Sequence, residues 1–317
     1  MNENKQKVLV TGAAGALGSL MAERLVEAGH VVAGLDCFTD YYDRELKEWN
    51  ANAAEESGVE FFECNLAEDD LKDAVEDVHV VYHFAAQPGI SASTPFEVYL
   101  RNNVIATQRL LEAVKGSGSI KLFINIATSS VYGANATENE EAEPKPNSYY
   151  GVTKLAAEQL VMAEYRQNNF PAVSIRPFSI YGERERPDKL YAKLIRAVLE
   201  DTPFPLYRGS REHVRSFTYV GDFIDGCMQI LENKERVLGE IINLGTDQTH
   251  TTGEGIDIIE EILGKKAEFI ESEPRGGDQL VTHANIEKAR ELLGYAPSTT
   301  LRQGLESEIA WMRDMLG

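Results

Sequence analysis

Cysteine is scarce and poorly placed for chemistry. Only Cys37, Cys64 and Cys227 occur among 317 residues. They are far apart, odd in number and show no Cys-x-x-Cys spacing, which argues against a disulfide framework and a thiolate zinc site. The six histidines show no metal-ligand spacing either. Basic charge is also in short supply. Thirty-one Lys and Arg face 51 Asp and Glu, a formal charge of -20. So acidic a chain is repelled by nucleic acid and by anionic membranes, both polyanions. No apolar run is long enough to span a bilayer. Met1 to Lys7 is polar and leads straight into a strand, without the long apolar region of a secretory signal. The expected partner is a small molecule and the expected location the cytoplasm. What remains is ordinary for a soluble globular protein, with 43% hydrophobic and 26% charged residues. The length suits one large or two small domains.

The chain is organised around Tyr150-Gly-Val-Thr-Lys154. Residues four apart on a helix lie on one face. A lysine ammonium beside a phenol favours the phenolate, and a phenol brought toward neutrality is a usable general base. Such a spacing arises by chance in many helices, so its meaning depends on two upstream features. The first is Thr11-Gly12-Ala-Ala-Gly15-Ala16-Leu17-Gly18, preceded by the apolar run Val8-Leu-Val10 and followed by helical spacing at Leu20, Met21, Leu25 and Val26. This reads as strand, glycine turn, helix. Gly12 permits the tight turn, Gly15 lets backbone approach a pyrophosphate, and Gly18 lets helix pack on strand. The helix start then offers unpaired N–H groups to phosphate. The second feature is Thr128-Ser129-Ser130, at the end of an apolar run. Together the three read as a nicotinamide-dependent enzyme.

A second strand, Val31 to Leu35, ends at Asp36. An acidic residue at that distance from the glycines meets the adenosine ribose, where it accepts from hydroxyls and repels a 2′-phosphate. The cofactor expected is therefore NAD rather than NADP. Asp40 to Glu56 has helical character, and Val59 to Cys64 reads as a third strand ending at Asn65-Leu66. Leu71 to Val78 reads as a helix. Val80 to Ala86 reads as a buried strand whose end, Phe84-Ala85-Ala86-Gln87, should border the cofactor. Residues 96 to 114 read as one helix with Asn103 among its landmarks, and Leu122 to Ile126 as a fifth strand. Strands alternating with helices predict an α/β fold of Rossmann type, a doubly wound parallel sheet with its site at the strand carboxyl ends.

Residues 134 to 147 are acidic and proline-containing, the signature of a surface loop. The Tyr150 helix should run to about Gln167, followed by a strand at Ala172 to Arg176. From Pro177 the composition shifts toward arginine and proline. The expected division is residues 1–176 plus about 216–246 for the cofactor, and about 177–215 plus 247–317 as a smaller C-terminal α/β domain for the substrate. Arg211, Arg215 and Arg275 form a candidate anion site there, since guanidinium groups suit phosphate and carboxylate. Val220 to Glu232 and Ile241 to Leu244 return to helix and strand. Helices are expected near 253–263, 284–293 and 300–314, the last with Leu301, Leu305, Ile309 and Met312 as its core stripe.

These pieces resemble the extended short-chain dehydrogenase/reductase superfamily over nearly the whole chain, and within it the nucleotide-sugar 4-epimerases. The likeness is carried by Val8 to Gly18, the His83-Phe-Ala-Ala86 strand end, Ser129-Ser-Val-Tyr-Gly133, Tyr150 to Lys154 and Arg215-Ser-Phe-Thr-Tyr-Val220. Asp40-Tyr-Tyr-Asp43 and Arg186-Pro-Asp188 are similar to the UDP-glucuronate 4-epimerase branch. The resemblance implies that Thr128, Tyr150 and Lys154 are catalytic, with Lys154 also holding the nicotinamide ribose. It implies that Ser129, Ser130 and Ser179 meet the sugar or diphosphate. It assigns Arg215, Arg275 and Asp278 to the nucleotide and Arg186 to the sugar carboxylate side. Cys37 and Asn65 depart from an asparagine and an aspartate usual in the family. A homodimer through the helices near 96–114 and 149–167 is implied as well. The expected activity is NAD-dependent inversion of carbon 4 of a UDP-sugar, UDP-glucuronate above UDP-glucose or UDP-galactose. The 4,6-dehydratases carry Asp-Glu directly after the catalytic Thr, and the decarboxylases a Glu at the second of those places. Here both places are serine. A non-catalytic NAD-binding scaffold on the same fold would lack the Tyr/Lys pair.

Overall fold

The computed structural model describes residues 5–91, 93–273 and 279–316. Its main sheet has seven strands: β1 (Lys7–Thr11), β2 (Val31–Asp36), β3 (Glu60–Glu63), β4 (Val80–His83), β5 (Leu122–Ile126), β6 (Ala172–Pro177) and β7 (Ile241–Leu244). They lie in the order β7-β6-β5-β4-β1-β2-β3, and every pairing is parallel. Parallel neighbours require crossover connections. These include α1 (Ala16–Glu27), α2 (Arg44–Ser57), α3 (Ala106–Ser117) and α4 (Tyr149–Asn168). The helices cover both faces, so the strands read as continuous apolar runs rather than alternating ones. Within β1, Val8 and Val10 enter the hydrophobic cluster on one face and Leu9 that on the other. The chain winds outward from β1 to β3, then crosses back to place β4 on the other side of β1. That reversal opens a crevice at the carboxyl ends of β1 and β4.

A third cluster joins α5 (Leu190–Leu199), α7 (Thr252–Leu263) and α8 (Leu301–Leu316), with α6 (Val220–Glu232) lying against the main sheet. The stripe expected at Leu301, Leu305, Ile309 and Met312 is buried in it. A small parallel pair, Phe204–Tyr207 with Phe269–Ser272, stands beside it. Neither α5 nor that pair was anticipated from the sequence.

Three expectations are corrected. Residues 96–114 are not one regular helix. A turn at Phe96–Tyr99 passes through a π-helical stretch, Leu100–Ile105, into α3. The buried Asn103 sits in that stretch and bonds across to the Gln87 backbone and to Thr153, which fixes its register against α4. Residues 134–147 are not simply a surface loop. Asn135–Ala136 pairs with Val281–Thr282, Ala136 is fully buried, and Glu140 accepts from the Asn243 amide at 2.7 Å. The strand expected to reach Ala86 ends at His83, because the Thr11 hydroxyl takes the Ala85 amide at 3.2 Å.

Behind the sheet ends lies a buried ion pair. Arg176 donates to both Glu158 oxygens at 2.9 and 2.7 Å and to the Tyr132 hydroxyl at 2.8 Å. Tyr132 donates in turn to Asn243 at 2.9 Å. The network ties α4 to β6 and β7.

Candidate active site

One long cavity runs from the β1 turn to Tyr207. At its first end the backbone turns at Gly12, where φ is +72° and an added Cβ would stand 2.8 Å from the Ala85 amide. A Cβ at Gly18 would collide with the Gly12 carbonyl. Gly15 caps α1 with no side chain, so no side chain takes up the N–H groups at the helix start, and Ala16 and Leu17 line the cavity beside them. An anion fits such a helix start. Asp36 lines the wall at the end of β2, with its carboxylate held by the amides of Ala14 at 3.1 Å and Phe38 at 2.9 Å. Burial raises its carboxyl above the usual range, while those amides and the Lys47 ammonium draw it down. Asn65, Leu66, Phe84, Ala85 and Ala86 continue the wall. These residues fit a dinucleotide: a side-chain-free cradle for two phosphates, with an acceptor placed for a ribose. Gln87 and Asn103 do not line the cavity. They are buried behind it, bonded to each other through the Gln87 backbone, and Asn102 and Gly89 reach the wall instead.

The middle of the cavity holds Thr128, Tyr150 and Lys154. Ser148 caps α4, accepting from Gly151 N–H at 3.1 Å, and so sets Tyr150 in the first turn. Thr128 follows β5 in extended conformation, and its Oγ1 accepts the Ser130 amide at 3.1 Å. Its hydroxyl also bonds the Tyr150 phenol. Burial raises the phenol above its ordinary value; the Thr128 hydroxyl and the Arg186 guanidinium oppose that. Arg186, in the same wall as Lys154, is a second cation beside the one the sequence pointed to. The spacing that joins Tyr150 to Lys154 also joins Lys154 to Glu158 one turn on, and Glu158 is the charge that supports the lysine. Burial still brings the Lys154 ammonium down to about 8.

Beyond Tyr150 the wall carries Ser129, Ser130, Ser179, Arg186 and Arg215. Ser179 has a φ of +35°, a strained setting for a residue with a Cβ. Arg186 is paired with Asp188 at 3.0 and 3.2 Å and lies over the Tyr41 ring at 5.5 Å. Arg215 donates to the carbonyls of Val214 and Gln279. Arg275 and Asp278 lie outside the described residues. Arg211 is not in the wall; it bonds Asp257 at 2.7 Å on the surface. Tyr41 and Tyr42 of the Asp40-Tyr-Tyr-Asp43 motif line the cavity, whereas sequence reasoning missed Lys189, Gln279 and the Phe204–Tyr207 strand, which line it too. The prolines at 203 and 205 were a usable signal, since proline in a strand marks an edge. Among the described residues no cluster of His, Cys, Asp or Glu could hold a metal, and no helix is long and apolar enough to cross a membrane.

The model of the NAD dependent epimerase/dehydratase family matches residues 8–245. The chain belongs to that family. Its relatives include a protein of Bacillus subtilis (strain 168), named as an uncharacterized UDP-glucose epimerase, 37% identical over 314 residues and covering 98% of each chain. A UDP-glucuronate 4-epimerase of Thermodesulfobacterium geofontis is 33% identical over 316 residues and 96% of each chain. Among solved structures, the UDP-glucuronic acid 4-epimerase from Bacillus cereus, in complex with UDP-glucuronic acid and NAD, superposes with a TM-score of 0.93. It is 37% identical and covers 98% of this chain and 99% of its own.

Proposed function

We propose that this member of the family inverts carbon 4 of UDP-glucuronate, giving UDP-galacturonate, with NAD as a retained cofactor. The observation that carries the reading is the Thr128–Tyr150 pair facing Arg186, followed by two neutral serines. NAD, when bound, supplies the reversible two-electron acceptor that makes carbon 4 a ketone and restores it. Gly12 to Gly18 and Asp36 would hold its phosphates and ribose, and Lys154 its nicotinamide ribose. As the phenolate, Tyr150 Oη takes the proton from the 4-hydroxyl and, as the phenol, later returns it. Thr128 Oγ1 shares that hydrogen bond and holds the sugar oxygen against the phenol. The neutral hydroxyls of Ser129 and Ser130 can neither take the carbon-5 proton nor protonate a leaving group at carbon 6, as a 4,6-dehydratase requires.

A glucuronate intermediate is a β-keto acid, prone to lose carbon dioxide when the breaking bond stands perpendicular to the ketone. Thr128, Ser129, Ser130 and Ser179, which line the cavity with Arg186, would hold the carboxylate away from that geometry. This arginine favours a uronate over the neutral sugar in the name of the Bacillus subtilis relative. Tyr150→Phe should lower kcat by roughly 10²–10⁴-fold, the usual worth of a positioned acid–base group, with KM nearly kept. Near-normal turnover would remove Tyr150 from the base role.

Arg215, Arg275 and Asp278 complete the proposed site as nucleotide ligands. The two-part division expected from the sequence belongs to the same reading, as does a cytoplasmic location. So does a homodimer. Phe96, Leu100 and Ile105 are exposed apolar residues near α3, and Tyr149 and Val152 are exposed on α4. That face is where two copies would meet.

A further inference from the structure

Gln279 lines the cavity and has no part in the chemistry described so far. It directly follows Asp278 in the chain. Its side chain and its backbone face different partners. The side-chain amide donates to the Ser129 carbonyl at 3.3 Å and to the Gly133 carbonyl at 3.1 Å. The main-chain carbonyl accepts from the Arg215 guanidinium. A side-chain NH2 carries two hydrogens, and here each has a carbonyl to meet.

The backbone around Gln279 is held in register. A small sheet places Val281–Thr282 between Val214–Arg215 and Asn135–Ala136, with both pairings parallel. Leu280 donates its amide to the Ala134 carbonyl at 2.9 Å, and its carbonyl accepts from Val214 at 3.2 Å. Three segments distant in sequence therefore meet at Gln279: the turn after β5, the strand bearing Arg215, and the segment that follows Asp278. The turn gripped by the amide is the one that carries Ser129 and Ser130. Within itself it is already tight. The Ser130 amide bonds Thr128 Oγ1, and the Gly133 amide bonds the Ser130 carbonyl at 3.3 Å. Gly133 has a φ of +84°, and the Lys145 carbonyl leaves no room there for a Cβ. The Gln279 amide fixes this turn against the strand that bears Arg215.

We propose that Gln279 is a positioning residue that links the nucleotide end of the cavity to its sugar end. Its carbonyl seats Arg215 for the nucleotide, and its amide holds the Ser129–Gly133 turn so that Ser129 and Ser130 meet the sugar carboxylate. The proposal rests on UDP-glucuronate as the substrate. Without the amide the turn loses this anchor, and the carboxylate of the 4-keto intermediate is held less well. An unheld β-keto acid breaks its bond between carbons 5 and 6. Carbon dioxide leaves, the electron pair passes to the ketone as an enolate, and a proton adds at carbon 5. The product is a UDP-pentose once carbon 4 is reduced again, or its 4-ketone if it is not.

The test is Gln279→Met. It nearly keeps the length of the side chain, removes both donors and leaves the main-chain carbonyl to Arg215. KM and the affinity for UDP by calorimetry should stay within about threefold of wild type, while kcat falls roughly tenfold, the worth of two neutral hydrogen bonds. Product NMR should show a pentose that wild type does not release. Hydrogen exchange without substrate, read by mass spectrometry over residues 129–134, should be faster in the variant. UDP should slow that exchange in wild type and not in Gln279→Met. Wild-type kcat, a pentose-free product and unchanged exchange in the variant would overturn the proposal. So would a loss of UDP affinity as large as the loss of kcat, since Gln279 would then act on Arg215 alone. Should the variant not fold, Gln279→Asn keeps the amide one methylene short of the turn and reads the same link. If wild type does not turn over UDP-glucuronate, the sugar assignment fails, and the exchange comparison with and without UDP still decides the role of Gln279.

Discussion

Tyr150 sits where burial and hydrogen bonding pull its phenol in opposite directions. Burial raises it; the Thr128 hydroxyl and Arg186 lower it. Replacing Thr128 by valine keeps the shape and removes the hydroxyl. The phenol then rises further, so the ascending limb of the pH–rate profile should move to higher pH. At neutral pH kcat should fall by at least about tenfold. A limb that stays in place would show that Thr128 does not act on the phenol. That Tyr150 and Thr128 are candidates for one site was legible because residue type and helical spacing are local properties of sequence. That Arg186 also acts on the phenol was not. Arg186 comes from a segment 36 residues further on, placed by Arg184 and Glu185 at contacts that no local pattern records.

The elements proposed to hold the cofactor were the easiest to read. A strand, a glycine turn and a helix must be contiguous, so β1 and α1 carry their own signal. The elements of the second half were harder. α5 and the Phe204–Tyr207 strand are stabilised by packing across long sequence distances. The π-helical stretch at Leu100–Ile105 exists because Asn103 bonds to Gln87 and Thr153, partners outside its own helix. α4 shows the same dependence. Its anchor is Glu158, fully buried against Arg176. Glu158→Gln leaves the guanidinium buried without its counter-charge, and should cost about 3–5 kcal/mol of stability in denaturant titration. A loss within experimental error would mean that the pair does not hold α4 to the sheet.

At the scale of the molecule, net charge and fold give different information. The charge of -20 fits a partner that is neither nucleic acid nor membrane, but says nothing of architecture. The parallel sheet and its reversal beside β1 place the cavity, and the loops after β4, β5 and β6 line it. The exposed apolar face near α3 and α4 predicts a solution mass about twice that of one chain by light scattering. A monomer at working concentration would remove the dimer. The central claim is tested most directly by incubating the purified protein with UDP-glucuronate, without added NAD, and following the products by NMR. UDP-galacturonate should appear, with no pentose product and no net NADH. Pentose release or a persistent ketone would contradict the account of Ser129 and Ser130, and an unchanged substrate would contradict the assignment of glucuronate itself.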